Sequence, residues 1–334
     1  MAAVKLPTVP LGKIGSQVTR LGFGMMGLSA FYGAVKSDEE RLQLLDEVYA
    51  AGELFWDSAD VYGDSEDLIG KWFKRSGKRS EIFLATKFGG MSINNDPEYI
   101  KECCNNSLQR LGTDYIDLYY CHRVNKDQPI EITIQTMAEL KKQGKVKHLG
   151  ISECSANTLR RACAVEHIDA IQMEYSPWAL EIEQLDILQT ARELGVAVIA
   201  YAPLGRGFLT GRYKSPKDFP EGDFRTLAPR FSAENFHKNL DLADRFLTIS
   251  KKHGGCTPGQ LTLAWLMAQG DDIIPIPGTT NLANFKENIG SLNVKITEEE
   301  EAEIRKAVNN MTPEGERYPE SFAGVLIQET VPLK

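Results

Sequence analysis

The sequence predicts an α/β fold, a (β/α)8 barrel of the TIM type, on three observations. Eight short apolar runs of strand length recur along the chain. Amphipathic stretches of helix length separate them, several opened by capping signals. The 334 residues suit one barrel, which commonly needs about 250 residues or more. Strands alternating with helices imply βαβ units and a parallel sheet. A doubly wound open sheet satisfies the same alternation, but eight units point to the barrel.

The elements follow in order. Residues 7–19 alternate around two glycine turns and read as a β-hairpin, placed to plug the barrel floor. The apolar runs are Arg20–Gly24, Leu54–Asp57, Ile82–Thr86, Tyr115–Tyr120, Lys147–Ile151, Ala170–Met173, Val196–Ala200 and Ile273–Pro277. They are almost continuously apolar, as parallel strands covered on both faces require. Ser37-Asp-Glu-Glu40 is a capping box ahead of Leu42, Leu45 and Val48. Thr257-Pro-Gly-Gln260 joins an N-cap, a first-turn proline and a Gln three residues on. Thr297-Glu-Glu-Glu300 opens an extra C-terminal helix, followed by a tail. Residues 204–237 form a long Gly/Pro/Phe-rich connection after the seventh strand, a length that usually marks function. No linker or repeat interrupts 1–334, so one domain is expected, with its barrel core over about 7–310.

Gly22-Phe-Gly24-Met-Met-Gly27 matches GxGxxG and follows a strand. The dinucleotide fingerprint needs its last glycines to open a helix facing the pyrophosphate. Here LSAFYGAV follows without helical periodicity, and the capped helix starts near Ser37. A strand end whose glycines permit close backbone approach is the better reading.

Composition narrows the function classes. Hydrophobic residues are 42% and charged residues 25%, ordinary for a globular chain. Lys+Arg 38 against Asp+Glu 46 gives −8, with no basic stripe, which argues against nucleic-acid binding. The N-terminus lacks a signal-peptide core, and no run reaches the roughly 18 apolar residues of a membrane span. Six scattered cysteines without a CxxC pair read as reduced thiols in a cytoplasmic protein. The five histidines form no HExxH or ligand cluster, so no metal is expected.

Barrel chemistry sits at the carboxyl ends of strands. The second run ends in Phe55-Trp56-Asp57, the third in Ala85-Thr86-Lys87, and the fourth in Tyr120-Cys121-His122-Arg123. Tyr62 lies five residues beyond Asp57 in a polar loop. Taken singly, each has an ordinary explanation: an Asp caps, a rim Lys is solvated, a His is structural, a loop Tyr packs. Together, on consecutive βα units, they converge on one mouth. A tyrosine titrates near 10, and an adjacent ammonium lowers that value. Asp57 is expected to pair with Lys87, and His122 to orient a hydrogen bond at a carbonyl oxygen. This is a general acid beside a developing alkoxide, suited to carbonyl reduction. There is no activated Ser or Cys nucleophile and no glycosidase carboxylate pair, since Asp57 is engaged.

These stretches resemble the aldo-keto reductases, an NAD(P)H-dependent barrel family. The matching segments are Leu21-Gly-Phe-Gly-Met25, Trp56-Asp-Ser-Ala-Asp-Val-Tyr-Gly63, Ala85-Thr-Lys87, Leu111–Leu118 leading to His122, Gly150-Ile-Ser152, Gln172–Ser176, Tyr201-Ala-Pro-Leu-Gly205 and Ile276–Thr280 with Glu287-Asn288. They run in family order from about 7 to 310. The closest likeness is to the plant and fungal branch that includes perakine reductase and the broad aldehyde reductases. Gly315-Glu-Arg-Tyr-Pro319 shares that likeness.

The resemblance implies Tyr62 as general acid, with Asp57, Lys87 and His122 completing a tetrad. It implies NADPH, with NADH a possible substitute, bound extended across the mouth. Gly24, Met25 and Asp57 would lie against it. Tyr201 would stack on the nicotinamide, and Ser152 and Gln172 would hold the carboxamide. Pro203, Leu204, Gly205 and Arg206 would meet the pyrophosphate. Gly278, Thr279 and Thr280 would offer backbone N–H groups to a phosphate. Asn284, Glu287 and Asn288, at i, i+3 and i+4, would face the adenosine.

Two positions depart from the family pattern. Glu153 follows the strand-five Ser where many members have Asn, which removes an amide contact to the carboxamide. Asn281-Leu-Ala-Asn284 lacks the Lys or Arg that pairs with the 2′-phosphate of NADP in many members, and Lys286 falls on another helix face. The partner is expected to be a small-molecule carbonyl compound, with Met25, Met26, Phe31, Tyr32, Phe88 and Trp178 available as an apolar wall. Pyridoxal fits the class without a specific signal. The oligomeric state is not encoded. One alternative is a cofactor-binding, redox-sensing subunit of the potassium-channel β type, against which the intact tetrad argues. Another is an aldolase with Lys87 as Schiff base.

Overall fold

The computed structural model describes residues 5–13 and 15–334, so the extreme N-terminus and Ile14 of the hairpin turn lie outside the described residues. The hairpin pairs β1 (Thr8–Pro10) with β2 (Gln17–Thr19), antiparallel. Eight parallel strands follow: β3 (Phe23–Gly24), β4 (Phe55–Asp57), β5 (Phe83–Phe88), β6 (Ile116–Cys121), β7 (Val146–Ser152), β8 (Ala170–Glu174), β9 (Ala197–Tyr201) and β10 (Ile273–Pro275). Each pairs with the next in sequence order. The ring closes between its first and last strands, where Gly22 N donates to Pro275 O at 2.9 Å, Gly24 N donates to Pro277 O at 3.3 Å, and Gly24 bridges Gly278. The predicted barrel is therefore the observed fold.

Two of the glycines of the rejected fingerprint serve this closure. A Cβ on Gly24 would stand 2.8 Å from Ile276 O, and one on Gly22 would stand 2.8 Å from Phe55 Cδ1. One detail differs from expectation: a single helical turn, Met26–Ser29, follows the motif before the capped helix Asp38–Ala50. It carries no side-chain cap, which is why the sequence does not announce it. The boxes at Ser37, Thr257 and Thr297 all form.

Strand periodicity separates two cores. Inside the barrel, Phe55, Ala85, Leu118, Tyr120, Ala170, Ala197, Ile199 and Ile274 pack with Val9, Leu11 and Val18 of the hairpin, which plugs the floor. Outside, Trp56, Leu84, Tyr119, Leu149, Ile171 and Val198 meet the helices. The hairpin is also tied down by polar contacts: Lys13 N donates to Gly195 O at 2.7 Å, and Ser16 Oγ lies 3.0 Å from His148 Nε2.

The connection after β9 is built of four short 3-10 turns between Phe208 and Phe231. Helix Ala233–Lys252 then begins, so the last five residues of the predicted connection are helical. Trp178, Phe208, Phe219, Phe231 and Phe236 form an aromatic cluster with it, Trp178 stacked on Phe208 and the other rings edge-to-face. After helix Glu298–Asn309 the tail crosses the mouth. It ends with Gln328 bridged to Cys154 and Val331 N donating to Lys126 O at 2.9 Å. Cys103, Cys104, Cys121 and Cys154 are buried, and all six cysteines are free thiols. Among the described residues no helix is long and apolar enough to cross a membrane.

Candidate active site

The inward face of the strands explains why chemistry gathers at one end. Counting by twos along β5, Phe83 and Ala85 point inward, and so does Lys87. The same parity carries Phe55 to Asp57, Gly150 to Ser152, Ala170 to Gln172 and Glu174, and Ile199 to Tyr201. Gly150 has no side chain because the Tyr120 ring fills its place, 2.3 Å from where a Cβ would sit.

Asp57 and Lys87 form a fully buried pair. Lys87 Nζ donates to Asp57 Oδ1 at 2.5 Å and to Ser58 O at 2.6 Å. Gln172 Nε2 donates to the other carboxylate oxygen at 2.9 Å. Burial pushes the Asp57 carboxyl up and the Lys87 ammonium down, in each case against the pull of the partner.

Above the pair, the Tyr62 ring stands edge-on to His122, with centroids 5.7 Å apart, and Lys87 Nζ lies 4.9 Å from the Tyr62 centroid. Burial holds the Tyr62 hydroxyl far above its ordinary value, and Asp57 raises it further. The expectation that the adjacent ammonium, Lys87, lowers this group needs correction. Its charge is matched by Asp57, and the cation that pulls Tyr62 downward is Arg123. Burial, with Arg123 and Lys87 adding, drives His122 well below the usual histidine range, so its ring is neutral. His122 Nδ1 is buried without a partner, against Gly90, where a Cβ would come within 2.6 Å. A bare nitrogen suits that apolar contact better than an N–H, which leaves the proton on Nε2.

The expected cofactor positions fall into two groups. Ser152, Gln172 and Tyr201 line the mouth together. Ser152 Oγ donates to Gln172 O at 2.9 Å, and Tyr201 OH donates to Glu153 Oε1 at 2.8 Å. Gly278, Thr279 and Thr280 lead into helix Leu282–Gly290, whose first turn is capped by Asn281 Oδ1 accepting from Ala283 and Asn284. Gly24 is the closing bridge partner of Gly278, and the Met25 side chain is buried in the outer core. Pro203 and Gly205 are buried in the turn, with Leu204 half-buried.

Arg206 does not face outward from that turn. Its Nη1 donates to Arg317 O at 2.7 Å, its Nη2 lies 3.4 Å from Glu174 Oε2, and its guanidinium lies 4.3 Å above the Tyr318 ring. Glu174, pulled low by Arg206 and Arg317 despite burial, is the attraction. Of the proposed apolar wall, Phe31 stands at the rim beside Tyr62 and Phe224. Phe88 packs outward on Tyr119 and Trp178 stacks on Phe208, both buried in the outer core.

Sequence reasoning missed three features. Arg212 donates to Asn284 Oδ1 at 2.5 Å and pairs with Glu287, so the cation absent from 281–284 arrives from the long connection. Lys36 Nζ adds a second positive charge, donating to Thr280 O at 3.1 Å. Arg317 and Tyr318 of the tail enter the mouth. Arg317 meets Glu174 at 3.3 Å, Glu181 at 3.3 Å and Glu153 at 3.8 Å, and Tyr318 OH lies 3.4 Å from Tyr201 OH. The only signal for these was the Gly315–Pro319 motif, which the resemblance identified without a contact.

The aldo/keto reductase family model matches residues 20–309. The chain is 55% identical over 321 residues to aldo-keto reductase str7 of Strobilurus tenacellus, covering 93% of this chain and 95% of that protein. It is 48% identical over 339 residues to aldo-keto reductase yakc [NADP(+)] of Schizosaccharomyces pombe, covering 98% and 99%. Among solved structures, it is similar to the glycerol dehydrogenase AKR11B4 of Gluconobacter oxydans, with a TM-score of 0.81 at 25% identity over 94% of this chain and 97% of that one. It is also similar to the thermostable aldo-keto reductase Tm1743 in complex with epalrestat, with a TM-score of 0.75 at 27% identity over 90% of this chain and 100% of that one.

Proposed function

The chain belongs to the aldo/keto reductase family, and from that premise we propose that it reduces an aldehyde or ketone to the alcohol with NADPH, Tyr62 giving the proton. The observation that carries this reading is the protonated Tyr62 hydroxyl beside a neutral His122, above the buried Asp57–Lys87 pair. When bound, the reduced nicotinamide supplies hydride to the carbonyl carbon. The side chains do the rest. Tyr62 stays protonated across the neutral range and donates its O–H to the carbonyl oxygen as charge develops there. His122 donates Nε2–H to the same oxygen and orients it. Arg123 offsets the negative charge left on the Tyr62 oxygen, and Lys87 adds only what Asp57 leaves uncancelled, in a site dry enough for that offset to count.

The residues fit the cofactor. A polar edge from Ser152 and Gln172 beside the Tyr201 ring suits an amide-bearing ring. The turn Pro203–Gly205 and the stretch Gly278–Thr280 suit the pyrophosphate, and Asn284, Glu287 and Asn288 suit the adenosine. Lys36 beside Thr280, and Arg212 beside Asn284, its charge shared with Glu287, would supply positive charge to a 2′-phosphate, which supports NADPH over NADH. The fission-yeast relative carries NADP(+) in its name. The rim formed by Phe31, Phe224 and Tyr318 favours a carbonyl compound with an apolar or aromatic body.

The test is oxidation of NADPH, and of NADH, by an aromatic aldehyde, in wild type and Tyr62→Phe. Wild type is expected to turn over, preferring NADPH. The variant is expected to lose about 10²–10⁴-fold in kcat while still binding NADPH. A Phe variant as active as wild type removes Tyr62 as the proton donor. A wild type that binds NADPH but reduces no aldehyde overturns the reductase reading.

A further inference from the structure

We propose that Arg123 forms a subsite for an anionic group, a carboxylate or a phosphate ester, carried by the carbonyl substrate itself. This deepens the reductase reading and rests on it.

Arg123 follows His122 directly and is 9% exposed. Its backbone is fixed, because Arg123 O accepts from Asn95 Nδ2 at 3.2 Å and from Cys121 Sγ at 3.3 Å. Its guanidinium is poorly occupied. Nη1 donates to His122 O at 2.9 Å and to Ser152 Oγ at 3.3 Å. Among the described residues Nε and Nη2 make no hydrogen bond, yet neither is sealed from solvent. No carboxylate oxygen of the described residues lies within 4.0 Å.

The charges around it are otherwise matched. Lys87 and Asp57 cancel. Glu153, Glu174 and Glu181 are balanced by Arg317, Arg206 and Arg230. Arg225 holds Asp223. Asp60, the remaining nearby carboxyl, is lifted by burial to about 7 and carries partial charge at neutral pH. Arg123 is the cation left without a carboxylate in contact: Glu153 acts on it only through space and also faces Arg317. A buried charge whose counter-charge is distant and shared is incompletely compensated, and an arriving anion completes it.

Position decides what the anion is. Arg123 sits between His122, on the proton-donor side, and Ser152, on the edge suited to the carboxamide. The cations suited to the cofactor's phosphates, Arg212 and Lys36, stand with Asn284 and Thr280 at helix Leu282–Gly290, on another element. A planar fork with one edge open fits a carboxylate or phosphate bidentately. The anion then belongs to a substituent of the molecule whose carbonyl meets Tyr62 and His122.

The experiment compares kcat/KM for 4-carboxybenzaldehyde and the neutral 4-formylbenzamide at saturating NADPH, in wild type, Arg123→Met and Arg123→Lys. Wild type is expected to favour the carboxylate by about tenfold or more, the scale of one charge-assisted contact. Arg123→Met is expected to bring the ratio to about one, with Arg123→Lys between. As a check that needs no variant, benzoate is expected to compete with 4-formylbenzamide better than neutral benzamide does in wild type. Equal turnover of the two aldehydes by wild type overturns the proposal. So does an Arg123→Met chain that slows both equally, or one that raises the NADPH KM with the ratio intact, which would assign the arginine to the cofactor. Failure of both aldehydes to be reduced at all would instead sink the reductase reading, and this proposal with it.

Discussion

Replacing Lys87 with Met tests what the buried pair does for the fold separately from what it does for the reaction. Lys87 and Asp57 are both essentially inaccessible, and both have their charged forms disfavoured despite a 2.5 Å contact. Desolvation therefore outweighs attraction, and the pair is a net cost relative to hydrated charges in the unfolded chain. Removing Lys87 alone leaves the Asp57 carboxylate with only the Gln172 amide. That state is expected to cost about 3–5 kcal/mol, a large share of the roughly 5–15 kcal/mol of a typical fold. Removing both charges, in Asp57→Asn with Lys87→Met, is expected to restore wild-type stability or exceed it. Urea unfolding reads this directly. At a slope of about 3 kcal/mol/M the single variant's midpoint falls by about 1 M or more, and the double variant's returns. Turnover separates the second role. The double variant is expected to be folded, to bind NADPH, and to reduce aldehydes at least 100-fold more slowly (an order-of-magnitude expectation for lost electrostatic support). A double variant no more stable than Lys87→Met would refute the desolvation argument. A stable double variant with wild-type turnover would refute the catalytic one.

Glu53 offers a pH-dependent test. Burial lifts its carboxyl to about 8, against hydrogen bonds from Thr19 Oγ1 at 2.6 Å and Phe55 N at 2.9 Å. The folded chain thus holds a proton that the unfolded chain releases near 4.3, so stability falls as pH rises from about 4.3 to about 8 and then levels. Glu53→Gln should flatten that decline, by up to a few kcal/mol at pH 8; parallel pH–stability curves for the two chains would contradict it. Gly24→Ala should lower stability by about 1–3 kcal/mol, because its Cβ meets the backbone oxygen of Ile276 at the barrel seam rather than a yielding side chain. An unchanged urea midpoint would show that the seam can open to admit a methyl group.

The parts of this molecule that could be read in advance are those governed by short-range rules. The eight strands were legible because runs covered on both faces cannot afford polar residues. Asp57 and Lys87 were legible as the polar ends of such runs, whereas Ser152, Gln172 and Tyr201 rest on the family resemblance. The boxes at Ser37, Thr257 and Thr297 were legible because both partners lie within one turn. What escaped depends on where distant segments cross. Arg212 meets Asn284 and Glu287 across 72 and 75 residues of chain. Its segment is a string of 3-10 turns with no periodicity from which to project a side chain. Arg206 is expected with its turn at the pyrophosphate, but its side-chain direction is set by Glu174 and Arg317, on β8 and the tail. The net effect of charge on Tyr62 is not legible for a related reason. Proximity was legible, but the cancellation by Asp57 and the presence of Arg123 required the three-dimensional sum of charges.

Glu153 shows how a departure at one position is absorbed by a set. Read alone, it replaces an Asn amide near the carboxamide site with a carboxylate that has no obvious purpose. In the fold it is fully buried with φ of 52°, in the left-handed region that seldom admits a non-glycine residue. Only surrounding contacts hold it there. Oε1 accepts from Tyr201 OH and from Glu174 N, while Oε2 faces Arg317 across 3.8 Å. The backbone joins in, since Gln328 N donates to Glu153 O. The Tyr201 hydroxyl would otherwise lack this acceptor, and the tail arginine would lose part of its counter-charge. The aromatic ring at the mouth, the carboxylates at the ends of β7 and β8, and the Gly315–Pro319 segment therefore depend on one another. Changing Glu153 to Asn would leave Arg317 and Tyr201 under-partnered in a buried place. The residue makes sense only together with the tail that covers it, which is why neither was interpretable from its own stretch of sequence.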